Sequence, residues 1–437
     1  MFWPNRTSFD LPMSPNLDKE LFPAFCMLIV LAIKAGPVLA RAQAHRSYER
    51  LLVIAALGAI GTVVTNTDDL VYGPNRLLGL KINDLVYYVI EVWIRWLPPF
   101  LLGHALFRRR ADLEDLFRFM VGCGLVYSLF ILVEIRLSPQ LHNWIYGFHQ
   151  HYFMQSIRMG GYRPIVFMRH GLNVAFFIVM CLLAATALYK ANVRLRLPVP
   201  FFTPKRTVIY LAIILAICKS TGAYFYGILA LPLLLFGPIA LQRAFATALI
   251  VVVMIYPILR SVEAIPVDDI LDWIRINVAK ERAASLGFRF HNEAEILENT
   301  RERIWFGWGY NARPFEHDIY SGEMTTVVDG AWIIELSAHG IVGFLSLFLM
   351  LVLPIVQAVR AIPKLQRKSD RQLLSALTVM CAIYMIEWIP NSPASAELTM
   401  LVGALAGVAP GMLREQRARR RAERREARRR EARAGRR

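Results

Sequence analysis

The chain lacks several things that would assign it a common chemistry. It has no GxxxxGK[ST] loop to cradle a nucleotide phosphate, which argues against a nucleotide-driven pump. The polar stretch 262–330 holds no Asp-x-Asp pattern of the kind many sugar-nucleotide transferases use for a metal; Asp268 and Asp269 are merely adjacent. The one close histidine pair, His149-Gln-His151, has no third ligand at a useful spacing, so no metal and no other cofactor is expected. Only five cysteines occur, each inside an apolar block, where they read as small buried hydrophobes and not as disulfide partners. Residues 1–20 are polar, with three prolines and no basic start ahead of a short apolar core, so no cleavable signal peptide is expected. No convincing internal repeat is present, and the apolar segments show no period-2 alternation that would suggest barrel strands.

What the chain has is apolar residue in blocks. It is 56% hydrophobic with a mean hydropathy of +0.41, and the apolar residues fall near 21–40, 51–66, 85–106, 115–135, 166–189, 207–219, 222–240, 244–261, 331–356, 374–389 and 395–413. Most have the roughly 17–25 residues needed to cross a ~30 Å hydrocarbon core. Backbone polar groups must be satisfied internally in lipid, so the blocks read as helices. The expected fold is an all-α polytopic bundle of about eleven spans, ten to twelve counting the doubtful break at Lys219-Ser-Thr-Gly222.

Basic residues sort the loops. Arg41, Arg46 and Arg50, then Arg108-Arg-Arg110, then Lys190 to Arg206, then Arg360 to Arg371 fall on one side if the spans alternate, which makes that side cytoplasmic. The amino terminus is then outside and the carboxyl terminus inside. Residues 1–413 form the membrane domain; 414–437 form a cytoplasmic tail with thirteen arginines and four glutamates. The tail suits membrane lipid headgroups or a docking partner; nucleic acid is not expected. Two long outside segments remain, about 137–165 and 262–330. The first has no acid from Leu137 through Met168, whereas the second has thirteen Asp/Glu against seven Arg/Lys.

These segments hold the candidate residues. Arg158, Arg163 and Arg169, with His170, lie in an acid-free run just outside the membrane. Guanidiniums stay charged and take phosphate in a bidentate fork, which suits a diphosphate headgroup; ordinary snorkelling is the plainer alternative. Arg282 and Arg289 are seven apart, on one face if that stretch is helical, with Glu281, Glu293 and Glu295 interleaved as in a salt-bridged surface. Trp305-Phe-Gly-Trp308-Gly-Tyr and, later, Asp329-Gly-Ala-Trp332 combine glycine turns with flat rings that suit sugars. Asp329 can take a hydroxyl proton, pair with an arginine, or cap the next helix. Glu91 and Arg95, four apart within a span, read as a structural pair. Glu387 and Glu397 lie near the outer membrane edge.

The order of Glu134-Ile-Arg-Leu-Ser-Pro139, Gly160-Gly-Tyr-Arg163-Pro with His170-Gly171, the 219–222 break, Arg301-Glu-Arg-Ile-Trp-Phe-Gly-Trp-Gly309, and Asp329-Gly330 with Gly340-Ile-Val-Gly343 resembles the bacterial O-antigen ligase and O-antigen/exopolysaccharide polymerase superfamily. The resemblance covers most of the chain, from the third block to the eleventh. It implies a bacterial inner-membrane, metal-independent glycosyltransferase of surface polysaccharide biosynthesis. Its substrates would be an undecaprenyl-diphosphate-linked oligosaccharide and a glycan or lipid acceptor, with polysaccharide-assembly partners. Arg163, Arg282 and Arg289 match basic positions that hold the diphosphate; Arg158 and Arg169 would assist. His170, Asp329 and Glu293 are the candidate proton acceptors, because Asp329-Gly330 stands where His-Asn is frequent; Lys219 replaces a frequent arginine. Trp305, Trp308 and Trp332 would stack on the glycan. The competing expectation is a transporter or flippase for a lipid-linked or acidic solute.

The orientation has a direct check. A single cysteine placed in 137–165 should react with a membrane-impermeant maleimide on intact cells, and one in 414–437 only after permeabilisation. Labelling of the tail on intact cells would reverse the topology.

Overall fold

The computed structural model describes residues 3–4, 6–9, 17–19, 21–40, 46–150, 152–196, 202–310, 312–392 and 395–434. Its helices are α1 (Leu21–Ala40), α2 (Arg46–Thr65), α3 (Asp84–Leu106), α4 (Arg110–Leu137), α5 (Leu141–Tyr146), α6 (Gly171–Lys190), α7 (Pro204–Ile217), α8 (Thr221–Phe236), α9 (Ile239–Ser261), α10 (Val267–Asn277), α11 (Lys280–Glu302), α12 (Ala331–Ala361), α13 (Lys368–Glu387) and α14 (Ser395–Ala434). Each of the eleven apolar blocks falls on a helix. Eight are long and apolar enough to cross a membrane: α1, α2, α3, α4, α6, α9, α12 and α14. The expectation of eleven rests further on α7 and α8, of 14 and 16 residues, and on α13, which carries charge at both ends. The architecture is mostly helical but not purely so: β1 (Leu70–Tyr72) pairs with β2 (Asn75–Leu77), and β3 (Ile157–Arg158) with β4 (Gly161–Tyr162), both antiparallel.

α6 is apolar all round and buried along nearly its whole length, which is what a central helix requires. Elsewhere in the bundle, α3 and α14 approach until their backbones touch. Gly403, Gly407 and Gly411 recur every four residues on α14 and face the carbonyls of Phe100, Phe107 and Arg108, while Gly103 faces that of Met400. A Cβ at any of these would overlap a backbone atom, so the small-residue ridge sets the helix separation.

The two ends of the bundle differ. The short basic loops gather at one: Arg110 pairs with Asp370 at 2.6 Å, and Gln366 N donates to Gln416 Oε1 at 2.7 Å. The long segments gather at the other, where Arg303 pairs with Asp68 at 2.7 Å and Asn75 Nδ2 donates to the Gly322 carbonyl at 2.8 Å. About half of the segment 262–330 is helical there, through α10 and α11. Past residue 413 the chain continues in α14 as helix to Ala434, so no boundary in backbone separates membrane domain from tail.

α12 is broken at Gly340, with φ 62° and ψ −171°, a conformation that essentially only glycine adopts. The break strands backbone groups that lipid cannot satisfy. The segment from Ile304 to Gly309 fills it. Ile341 N and Val342 N donate to the carbonyls of Ile304 and Trp305 at 2.8 and 3.2 Å, and Trp308 N and Gly309 N donate to those of Ser337 and Ala338 at 2.8 and 2.9 Å. Thr62 Oγ1, on α2, donates to the Phe306 carbonyl, and Asn66 Nδ2, just past its end, to that of Gly307.

A Cβ at Gly340 would overlap Phe306 N and the Trp305 carbonyl. Gly340→Ala should therefore cost at least about 2 kcal/mol, from the forbidden dihedral before the overlap is counted. A detergent melt showing an unchanged midpoint would refute this account of the break.

Candidate functional site

The site is built on Glu134, at the end of α4. Its buried carboxylate accepts from three backbone amides: Leu141 N at 3.1 Å, Ile165 N at 2.8 Å and Val166 N at 2.7 Å. A carboxylate in this position ties both ends of the first long segment to the bundle. Between them, Met159 and Gly160 both have positive φ, 49° and 68°, and turn β3 into β4. The hairpin carries Arg158 on its first strand, and Arg163 follows its second.

Arg163 is buried at 5% exposure and passes beside Gly171, where a Cβ would lie 2.8 Å from its Cγ. Its Nη2 donates to Ser220 Oγ at 3.0 Å, while its buried Nε has no hydrogen-bond partner among the described residues. Ser220 belongs to the tight turn between α7 and α8, so the Lys219-Ser-Thr-Gly222 break is a hairpin tip and not a bend in one helix. Lys219 takes the turn's positive φ of 51° and reaches the Met159 carbonyl at 3.4 Å. Arg282 arrives from α11, and its Nη2 donates to Thr221 Oγ1 at 3.1 Å. Both long segments thus place a guanidinium on adjacent hydroxyls of one turn.

These cations feel one another. Burial, then the charges of Arg282 and Arg289, lowers the proton affinity of Arg158. Arg163 is pushed down to about 10, first by burial and then by Arg158, with Arg282 adding to it. Like charges this close, without a carboxylate on the turn, are stabilised by an anion.

Arg289 is on the same α11 face as Arg282, and its Nε donates to Asp329 Oδ2 at 3.0 Å, with both side chains partly exposed. It also lines an apolar cavity of about 360 Å³ with Phe225, Tyr226, Phe245, Tyr256, Leu286 and Glu293. α8 and α9 barely touch beside this cavity. A narrow crevice holding Asp329 shares Arg289, Glu293 and Pro390 with it.

The other candidates stand elsewhere. Glu293 is buried, and its Oε2 accepts from Tyr256 OH at 2.9 Å and Arg260 Nε at 3.2 Å, a clasp between α11 and α9. His170 is the N-cap of α6, its Nδ1 accepting from Leu172 N at 3.1 Å. Arg169 lines a separate cavity with Lys19 and Glu397. Trp332 is fully buried with its ring edge-on to Tyr256, and Trp308 is buried with Nε1 donating to the Asn299 carbonyl; Trp305 alone of the three is exposed. Among the described residues no three His, Cys, Asp or Glu group into a possible metal site.

The Glu91–Arg95 pair read in the sequence belongs to a larger cluster that went unread. Arg95 Nε donates to Glu91 Oε1 at 2.6 Å; Tyr310 OH bonds Glu91 Oε2 at 2.5 Å and His339 Nε2 at 2.7 Å; Glu335 Oε2 lies 3.4 Å from His339 Nε2. Glu335 and His339 are four apart on α12, a signal the sequence did carry.

Two outcomes follow. Glu134→Ala leaves three buried amides without an acceptor and should cost about 3 kcal/mol, with Glu134→Gln milder; equal melting midpoints for wild type and both variants would discount the tie. Burial, outweighing the bonds from Tyr256 and Arg260, raises the Glu293 carboxyl above the ordinary 4.5. The folded state then binds more protons than the unfolded one, so this group's stabilisation is complete below the ordinary value and declines as pH rises through the raised one. Glu293→Gln should flatten that decline in melts taken across this range, and an unaltered pH profile would remove Glu293 as its source. No family model matches the chain, and no curated protein matches it.

Proposed function

We propose that this protein is an integral inner-membrane glycan transferase of bacterial surface polysaccharide biosynthesis, acting on the periplasmic side. The observation that carries the reading is the convergence of Arg163 and Arg282 on the α7–α8 turn, with Arg158 and Arg289 within electrostatic reach and Arg289 at the head of an apolar cavity. A diphosphate with a polyprenyl tail matches that arrangement. The headgroup meets four guanidiniums, and the chain slides between α8 and α9. The arginines stabilise charge that builds up on the diphosphate as the sugar–phosphate bond breaks. Asp329, partly exposed and held by Arg289, is the carboxylate best placed to take the acceptor's hydroxyl proton. Glu293 and His170 remain secondary, because Glu293 is buried in the Tyr256–Arg260 clasp and His170 caps α6 through Nδ1. Glycan stacking falls to Trp305. The reading places the amino terminus in the periplasm and the tail in the cytoplasm, and it needs no metal ion.

A transporter for a lipid-linked or acidic solute is favoured by one observation, the broken α12 over the buried Glu91–Arg95–His339 cluster, since discontinuous helices often hold transported solutes. The break is sealed by a protein segment, which weighs against a moving gate.

Arg163→Ala and Arg289→Ala should each abolish long-chain polysaccharide on a gel while the protein still inserts. Removing a phosphate-binding guanidinium from a transition-state site costs about 3 kcal/mol, more than a hundredfold in rate. Wild-type polymer in both variants would sink the proposal, and altered solute uptake with normal polymer would favour transport.

A further inference from the structure

The cluster beneath the break in α12 plays no part in holding a diphosphate, yet it gathers ionisable side chains from three elements inside the bundle. α3 supplies Glu91 and Arg95, the segment that fills the break supplies Tyr310, and α12 supplies Glu335 and His339. Tyr88 of α3 stands beside them, its OH accepting from Tyr310 N at 2.9 Å, and the end of α2 adds the neutral Thr62 and Asn66. Glu91 and His339 are only 1% and 2% exposed. Among the described residues, the charges that reach Glu335 and His339 are those of Glu91 and Arg95.

The hydrogen bonds say where protons sit. Tyr310 has one hydroxyl proton and two close neighbours. It donates to Glu91 Oε2 at 2.5 Å, on a carboxylate already paired with Arg95. Its oxygen then accepts from His339 Nε2 at 2.7 Å, so that nitrogen carries a hydrogen. The same nitrogen lies 3.4 Å from Glu335 Oε2, which is buried and has no hydrogen-bond partner among the described residues. Two carboxylates and one guanidinium leave one negative charge uncovered. A buried charge without a partner is costly, so the arrangement calls for one further proton, shared by Glu335 and His339.

We infer that the Glu335–His339 pair holds this proton and with it locks the segment 304–310 into the break, as a latch that opens when the pH outside rises. With the proton in place, Tyr310 is clamped between Glu91 and His339. Without it, two carboxylates share one guanidinium, and water must enter to solvate the second. Tyr310 is the member carried on a loop and not on a helix, so it is the one that yields. Its release frees the segment whose Trp308 is bonded to Asn299, and so loosens α11, which carries Arg282 and Arg289. Arg303, next to the segment, pairs with Asp68 where the long segments gather, which places the latch near the outer solution. The inference goes beyond the transferase reading and does not depend on it.

The test follows amide hydrogen exchange in the full chain in nanodiscs, read by peptide mass spectrometry. Glu335→Gln keeps the side chain's shape but has no proton to lose, so it should hold the latch shut at every pH. The ratio of wild-type to variant exchange at 304–310 cancels the direct effect of pH on the amides. That ratio should be near one in mild acid and rise about tenfold in alkaline buffer, the loss of one hydrogen bond to a charged group. Peptides of α11 should rise with it. His339→Gln removes one of the two sites that share the proton and should move the pH at which the segment opens, which decides the matter even if Glu335→Gln fails to fold. A ratio that stays flat, α11 peptides that do not follow, or an opening pH that His339→Gln leaves in place overturns the inference. Polymer is not measured, so failure here leaves the transferase reading standing.

Discussion

A backbone inside a bilayer has no water to fall back on, and the break in α12 makes that constraint local. Four hydrogen bonds between residues 304–309 and residues 337–342 replace those the helix loses. The segment that supplies them is therefore held deep against α2 and α12, through Thr62 and Asn66. Once it is fixed there, Tyr310 reaches Glu91 and His339, and Trp308 closes over Asn299 near the end of α11. α11 is thus anchored at one end by the plug and near its middle by the Glu293 clasp. Those two restraints set where Arg282 and Arg289 can point.

The first long segment solves the same problem with a charge. Glu134 collects three amides that have no partner of their own, as an oxyanion site does, and so fixes both limbs of the segment without a helix. Arg163 then needs no flexibility to reach Ser220. The site combines two rigidly mounted loops on a hairpin tip, and a rigid mount is what keeps like charges together when no anion is bound.

Block length and loop charge made the helices and the two dissimilar ends legible in the sequence, because each depends on local composition. The seven-residue spacing of Arg282 and Arg289 likewise foretold one helical face. Trp308 and Trp332 were not legible: glycine beside aromatic describes a sugar platform and a plug for a broken helix equally well, and only the carbonyls of Ser337 and Ala338 distinguish them. Arg158, Arg163 and Arg169 looked like one group because they share a segment. The turn at Val166, with φ 50°, comes between Arg163 and Arg169; Arg163 reaches Ser220, whereas Arg169 lines the cavity with Lys19 and Glu397. The small-residue ridge of α14 was readable as Gly403-x3-Gly407-x3-Gly411, but its partner on α3 depends on tertiary contact.

The continuity of α14 bears on the tail. At 1.5 Å per residue, Arg433 lies about 30 Å beyond Arg414 along the helix, whereas the potential of an anionic leaflet fades over about 8 Å at physiological salt. Arginines in the first turn or two can bind headgroups; those farther along a straight rod are beyond their reach. On the proposed topology, with α14 along the bilayer normal, the outer half of the rod would be a cationic mast in the aqueous phase, its reach measured by ionic strength more than by the lipid beneath it.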